Sequence, residues 1–368
     1  MQFIQDGQVN RIAIFGYVLN QMSSKAAIRK HGKAADDALM AEFSQMKDLN
    51  VYEPMHASAL PPAQRQGALR AITLVKEKRC GRLKGRTVAD GRKQRGLYEK
   101  SQTASPTVAA DALMLTIMID AHERRDVATA DIAGAYLKAK MDDFLIIKYT
   151  GQQVDILCEM NPKYKEFVLI EKGINVLYVR MVMAIYGCVQ SVLLWYKLVS
   201  STLEEMGFKL NPYDPCVANK TINGKQCTIA WYVDDTKISH VDAAVVTDII
   251  EQIERRFDKM TVTRGKEHTF LGMNITYTDD GTAKVSMKDY LMEAISESGL
   301  DIKNIASTPA RRDVFEVDNS SPPLPKERFN AFRSVVMKLL YVAMRARMDL
   351  LLAVSFLSIR TSKSTIED

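Results

Sequence analysis

The sequence has little to offer sulfur or zinc chemistry. Its five cysteines (Cys80, Cys158, Cys188, Cys216, Cys227) form no C-x-x-C pair, and its five histidines show no zinc-ligand spacing. Reduced thiols in a cytosolic or nuclear protein are the reading that remains. No apolar run approaches the length of a membrane span. The N-terminal run IAIFGYVL is short, follows an acidic residue and lacks a small-residue cleavage site, which argues against a secretory signal. A soluble, intracellular protein with no membrane partner is expected. Internal repeats and long low-complexity tracts are also missing, which excludes solenoids and disordered scaffolds.

What is present is an ordinary globular composition: 368 residues, 47% hydrophobic and 26% charged, with a net charge of +6. That length suits one large domain or two to three subdomains. The charge is concentrated. Between Arg70 and Arg95, ten basic residues face only Glu77 and Asp90. Such a stretch suits phosphates, and a solvated basic loop is its bland alternative.

Hydrophobic periodicity predicts a helix over 24–50, with Ala38, Leu39, Phe43 and Met46 on one face. A hairpin follows, with strands ITLVKEK and LKGRTVA and a turn near Cys80-Gly81. A helix is expected over 105–125, capped by Ser105 or Thr107, with Leu113, Ile117 and Met118 inward. Further helices are expected over 191–208, 243–260 and 288–300, and along most of the C-terminal segment from Phe329. Asn223-Gly224 predicts a tight hairpin between CVANKTI and KQCTIAWYV, and Asp280-Gly281 predicts another turn. Interleaved helices and hairpins argue for an α+β fold.

One short stretch carries chemistry. In AWYVDDTKIS, Asp234 and Asp235 stand side by side after an apolar strand. Successive strand residues point to opposite faces, so a tight turn is needed before both can approach one site. Two carboxylates so placed oppose each other's ionisation unless a cation neutralises them, and hard divalent ions such as magnesium take oxygen ligands. Asp131, in TADIAGAY, is the best third carboxylate, with small residues after it that allow close approach. Three carboxylates can hold two metals, an arrangement suited to phosphoryl transfer. An isolated Asp-Asp pair, by contrast, is common in turns.

YVDD at 232–235, flanked by strands, resembles the catalytic hairpin of reverse transcriptases. The other blocks are similar, in order, to those of the copia-type LTR retrotransposon reverse transcriptase, a segment of the Pol polyprotein. LKGRTVADGRKQR resembles the basic fingers block and TADIAGAYLKAKMDDF the first catalytic block. AIYGCVQSVLLWYKLVSSTLEEMGFKLNPYDPCV resembles the Tyr-Gly…Gln…Trp-Tyr block. FLGMNITY and FRSVVMKLLYVAMRARMDLLLAVSFLSI resemble the later ones. The resemblance runs from about residue 24 to residue 364.

That resemblance implies an α+β right-hand polymerase fold with an antiparallel palm sheet, fingers and a short helical thumb-like region. The divisions expected are an N-terminal extension (1–23), an N-terminal and fingers region (24–125), a palm (126–282) with an inserted fingers segment at about 155–190, and a helical thumb or connection region (283–368). It implies an RNA-directed DNA polymerase, with a catalytically inactive nucleic-acid-binding remnant as the alternative. Asp131, Asp234 and Asp235 would be the catalytic, metal-binding carboxylates for two Mg2+ ions, with Mn2+ as the alternative ion. Tyr136 would exclude a 2′-hydroxyl. Gly134, Ala135 and Gln190 would meet the nucleotide, with Lys84, Arg86 and Arg92 as candidates for triphosphate or template contacts. Gly272 and Met273, with Phe270 and Leu271, resemble the primer-positioning hairpin. The implied partners are an RNA or DNA template with primer, deoxynucleoside triphosphates and an RNase H region that this sequence does not show. The implied location is a cytoplasmic virus-like particle or the nucleus. Two departures stand out: Val189 where the family usually carries Lys, and Met348 where it usually carries Pro.

Overall fold

The computed structural model describes residues 21–77, 81–298, 307–310, 312–318 and 320–368. The extension before residue 21, Cys80 at the first predicted turn and the end of the 288–300 helix lie outside the described residues.

In chain order, strand β1 (Gln21–Ser23) leads into helices α1 (Ser24–His31) and α2 (Lys33–Asp48). The single helix expected over 24–50 is thus two. Gly32, at φ 54°, ends the first, a backbone conformation open mainly to glycine. Next come β2 (Tyr52–Met55), α3 (Pro62–Gly67), β3 (Leu69–Glu77) and β4 (Leu83–Ala89). Helix α4 (Ala110–His122) precedes β5 (Asp126–Asp131) and β6 (Ile146–Thr150). Then follow α5 (Gln152–Met160), β7 (Leu169–Glu171), β8 (Ile174–Met181) and α6 (Ser191–Glu205). Strands β9 (Lys209–Leu210), β10 (Val217–Ile222), β11 (Lys225–Tyr232) and β12 (Asp235–His240) lead to α7 (Ala243–Phe257). Strands β13 (Thr261–Arg264), β14 (Glu267–Phe270), β15 (Met273–Tyr277) and β16 (Ala283–Ser286) precede α8 (Lys288–Ser298), α9 (Lys326–Ala343) and α10 (Leu351–Arg360).

The chain divides into two units. The first comprises residues 1–106 and 134–202, the second 107–133 and 203–368. In the first, the sheet runs β1-β3-β6-β8-β2, with β4 beside β3 and β7 beside β8. Its β3–β6 pair is parallel. Phe43, Met46, Tyr149, Leu157, Leu177 and Val179 form its core. Helix α2 lies close on β4. A Cβ on Gly85 would come within 2.5 Å of the Ala38 carbonyl oxygen, so only glycine fits there. Two positions further along β4, the buried Glu42 accepts a hydrogen bond from the Thr87 amide at 2.8 Å.

In the second unit the sheet runs β13-β5-β12-β11-β10-β9, antiparallel at every pairing. Asn223, at φ 52°, and Gly224, at φ 73°, join β10 to β11, the two positive φ values that a type I′ turn requires. Helix α7 buries Val246, Ile249, Ile250, Ile253 and Phe257, as its periodicity predicts. Helix α4 corrects two expectations. Met118 is 66% exposed, although Leu113 and Ile117 are buried. Neither Ser105 nor Thr107 caps the helix. Asp214, more than a hundred residues away, accepts from the Ala109 amide at 2.8 Å and from the Cys216 amide at 2.9 Å. Beside this sheet, β14, β15 and β16 form a separate three-stranded sheet. Among the described residues, no helix is long and apolar enough to cross a membrane.

Candidate active site

Asp131 is the last residue of β5, and Asp235 is the first of β12. In the antiparallel register they stand directly opposite each other. Opposed residues in such a pair share a face with Cα atoms about 4.5–5.5 Å apart, so both carboxylates rise from one side of the sheet. Tyr232 pairs with Asp235, which leaves Val233 and Asp234 as a two-residue turn. Val233 takes φ 57°, a conformation that costs a β-branched residue of order 1–3 kcal/mol. The Ile132 amide donates to the Asp234 carbonyl at 3.0 Å, tying the turn to the end of β5.

The electrostatics follow from this geometry. Burial, then Asp234, then Asp131 push the Asp235 carboxyl up to about 6. Asp131 is exposed, and Asp234 and Asp235 are half-buried. Three acidic groups within each other's field, all oxygen donors, suit a hard divalent cation. Among the described residues, no three such side chains converge on a single point as they stand.

Further along, the same face is closed. Lys237, two residues after Asp235, is fully buried and donates to Asp120 of α4. The Tyr277 hydroxyl of β15 donates to the same carboxylate at 3.3 Å. Thr129 of β5 shares a hydrogen bond with His268 of β14 at 3.1 Å.

The hairpin at FLGM is tighter than a plain strand. Leu271, at φ 50°, and Gly272, at φ 75°, form a two-residue turn between β14 and β15. Phe270 and Met273 flank it and are buried. Tyr341 of α9 donates its hydroxyl to the Leu271 carbonyl at 2.8 Å. The Arg345 guanidinium lies 3.6 Å from the Tyr341 ring centroid. Sequence reasoning missed Tyr341, Arg345, Lys237 and Asp120. Only the two charges set in otherwise apolar runs, IMIDAH and TKIS, gave a signal.

The nucleotide-side candidates belong to the first unit. Gly134 is left-handed at φ 67° and opens the short helical turn Ala135–Lys138, which carries Tyr136. A Cβ on Gly134 would meet Gln45 Nε2 at 2.8 Å. Lys84 is exposed and Arg86 half-buried, on the face of β4 opposite to the buried Gly85 and Thr87. Arg92 is tied to Asp90 through Nε at 2.7 Å and Nη2 at 2.5 Å. Gln190 is half-buried and immediately precedes α6. Cys188, Cys216 and Cys227 are free thiols whose pKa burial pushes up to about 12, so none is a ready nucleophile.

Residues 59–312, more than half of the chain, match the family described as reverse transcriptase (RNA-dependent DNA polymerase). The chain belongs to that family. Similar proteins include retrotransposon proteins of Saccharomyces cerevisiae. A transposon Ty5-1 protein is 28% identical over 230 residues, covering 62% of this chain and 68% of that protein. The Ty1-DR5 Gag-Pol polyprotein is 23% identical over 337 residues, covering 88% of this chain but only 18% of the polyprotein. The resemblance to the copia-type family is thus borne out, and the expected α+β class with it. Similar solved structures include a foamy-virus protease–reverse transcriptase in complex with double-stranded DNA. It is 15% identical over 88% of this chain and 48% of that one, with a TM-score of 0.38. The apo telomerase of Candida tropicalis is 11% identical over 88% of this chain and 60% of that one, with a TM-score of 0.41.

Proposed function

We propose that this chain is the RNA-directed DNA polymerase of a copia-type retrotransposon, extending a primer on an RNA or DNA template from deoxynucleoside triphosphates. The observation that carries this reading is the register that sets Asp131 opposite Asp235, with Asp234 in the adjoining turn. In the reaction, the primer 3′-oxygen forms a bond to the α-phosphorus, the bond to the β-phosphate bridging oxygen breaks, and pyrophosphate leaves. Asp131, Asp234 and Asp235 would hold divalent ions, magnesium or manganese. Such ions, when bound, supply charge neutralisation and a more acidic primer hydroxyl. The carboxylates would hold those ions at the end of β5, where Asp131 is exposed. Within the first unit, Lys84, Arg86 and Arg92 would meet phosphates, the backbone of Gly134 and Ala135 would approach the triphosphate, and Gln190 would touch the nucleotide. Tyr136 would select against a ribose. Gly272 and Met273 would place the primer end.

The test is primer extension on an RNA template with magnesium and deoxynucleotides, against an Asp234→Asn/Asp235→Asn control. Extension by the wild type alone supports the polymerase. Template binding without extension supports the inactive, nucleic-acid-binding remnant. Binding through a basic surface predicts a steep loss of affinity with salt.

A further inference from the structure

Two of the residues proposed to contact the nucleotide, Arg86 and Tyr136, are joined by a third, Tyr186, the tyrosine of the Tyr-Gly block, to which the sequence assigned no role of its own. The Arg86 guanidinium lies 4.3 Å from the centroid of the Tyr186 ring. Tyr186 in turn meets Tyr136 edge-on, with centroids 4.7 Å apart and planes at 66°. Tyr186 is itself held firmly. Its carbonyl accepts from the Ala89 amide at 2.7 Å, three residues beyond Arg86 on the same strand. The next residue, Gly187, sits so close that a Cβ there would fall 2.1 Å from the Ala89 carbonyl oxygen. Val189 continues the attachment, its amide donating to Gln94 Oε1 at 3.2 Å.

We infer that Tyr186 is a positioning residue for sugar selection, holding the Tyr136 ring where a 2′-hydroxyl would meet it and linking that ring to the phosphate-facing Arg86. This rests on the polymerase reading and on the gating role of Tyr136 within it. The physical argument is steric and electrostatic. A steric gate discriminates only as well as its ring is immobile. An edge-to-face aromatic contact with a cation over the far ring restricts the tilt of both rings. Phosphates drawing on Arg86 then act on the same stack that carries the gate, so discrimination depends on Tyr186 although it need not touch substrate.

The test measures a sugar ratio, which loss of stability alone does not shift. The full chain is bound to a primer–template with a dideoxy-terminated primer opposite a template base that pairs with adenine, and affinities for dATP and ATP are measured by competition. Single-nucleotide incorporation with an extendable primer gives KM and kcat for both. The wild type is expected to prefer dATP. Tyr186→Leu should lower that preference about tenfold or more, through tighter use of ATP. Tyr186→Phe should keep it, and Arg86→Lys should lower it less. An unchanged ratio in Tyr186→Leu, with Tyr136→Ala relaxed, overturns the inference. So does a wild type with no preference. If Tyr186→Leu does not fold, an unchanged ratio in Arg86→Lys overturns it. A wild type that fails to extend primers yet prefers dATP, with the preference lost in Tyr186→Leu, would sink the polymerase reading and leave the role of Tyr186 standing.

Discussion

Lys237 ends inside the protein, its ammonium against the carboxylate of Asp120, and neither side chain reaches solvent. One lies on β12, two residues from Asp235, and the other on α4. Without Lys237, the buried Asp120 keeps, among the described residues, only Arg125, 3.9 Å away and shared with Glu123, as a counter-charge. Lys237→Met should therefore cost about 3 kcal/mol, the low end for breaking a buried pair, while Lys237→Met/Asp120→Leu, which leaves Arg125 with Glu123, should regain most of it. Denaturant unfolding of the single and double variants measures both. A double variant as unstable as the single would contradict this account.

The raised Asp235 carboxyl has a consequence with a definite sign. Its pKa in the folded protein, about 6, exceeds the ordinary 3.8. The folded state therefore holds this proton more tightly, and the stability linked to it is complete below about pH 4 and lost as pH rises through about 6. Asp235 is partly exposed, so solvent screening limits the loss to about 1 kcal/mol. In chelator at pH 7, Asp235→Asn should be more stable than wild type by that amount, and the gap should close near pH 4. Added magnesium should stabilise the wild type more than the variant. Thermal melts across pH, with and without the ion, decide it.

Gly187 and Gly224 both have positive φ, 87° and 73°, yet alanine should affect them differently. At Gly224 a Cβ meets nothing within 4 Å, so Gly224→Ala should cost about 1 kcal/mol from backbone strain alone. At Gly187 the Ala89 carbonyl blocks the Cβ, so Gly187→Ala should cost upwards of about 3 kcal/mol. Unfolding midpoints of the two variants should differ accordingly.

Val233 holds its left-handed backbone at the tip of the YVDD turn. Val233→Gly removes that strain and should stabilise the protein by about 1 kcal/mol. It also loosens the turn carrying Asp234, so kcat for primer extension should fall. A variant that is both less stable and fully active would refute the strain argument.

The parts of the fold that were legible in the sequence are those set by local chemistry. Asn223-Gly224 announced its hairpin, and the apolar stripe of α7 announced its buried face. The Leu271-Gly272 hairpin was implied by resemblance alone, because by local pattern FLGM reads as a continuous strand when neither flanking apolar residue marks the reversal. The cap of α4 was invisible for a different reason: Asp214 reaches it only through tertiary structure. Resemblance placed Asp131 beside the Asp-Asp pair, whereas spacing left the three merely able to meet. The Lys237–Asp120 pair, the Tyr341 hydrogen bond to Leu271 and the Tyr186 stack all join distant positions. No periodicity encodes such contacts.

The pairing of β5 with β12 also makes the site a proofreader of its own folding. A slip of one residue would turn either Asp131 or Asp235 to the opposite side of the sheet and strand Lys237 away from Asp120. Chains that pair these strands wrongly therefore lose the Lys237–Asp120 pair and the opposed carboxylates in the same error. On the polymerase reading, misfolded copies would be silent, and would not extend primers with altered fidelity.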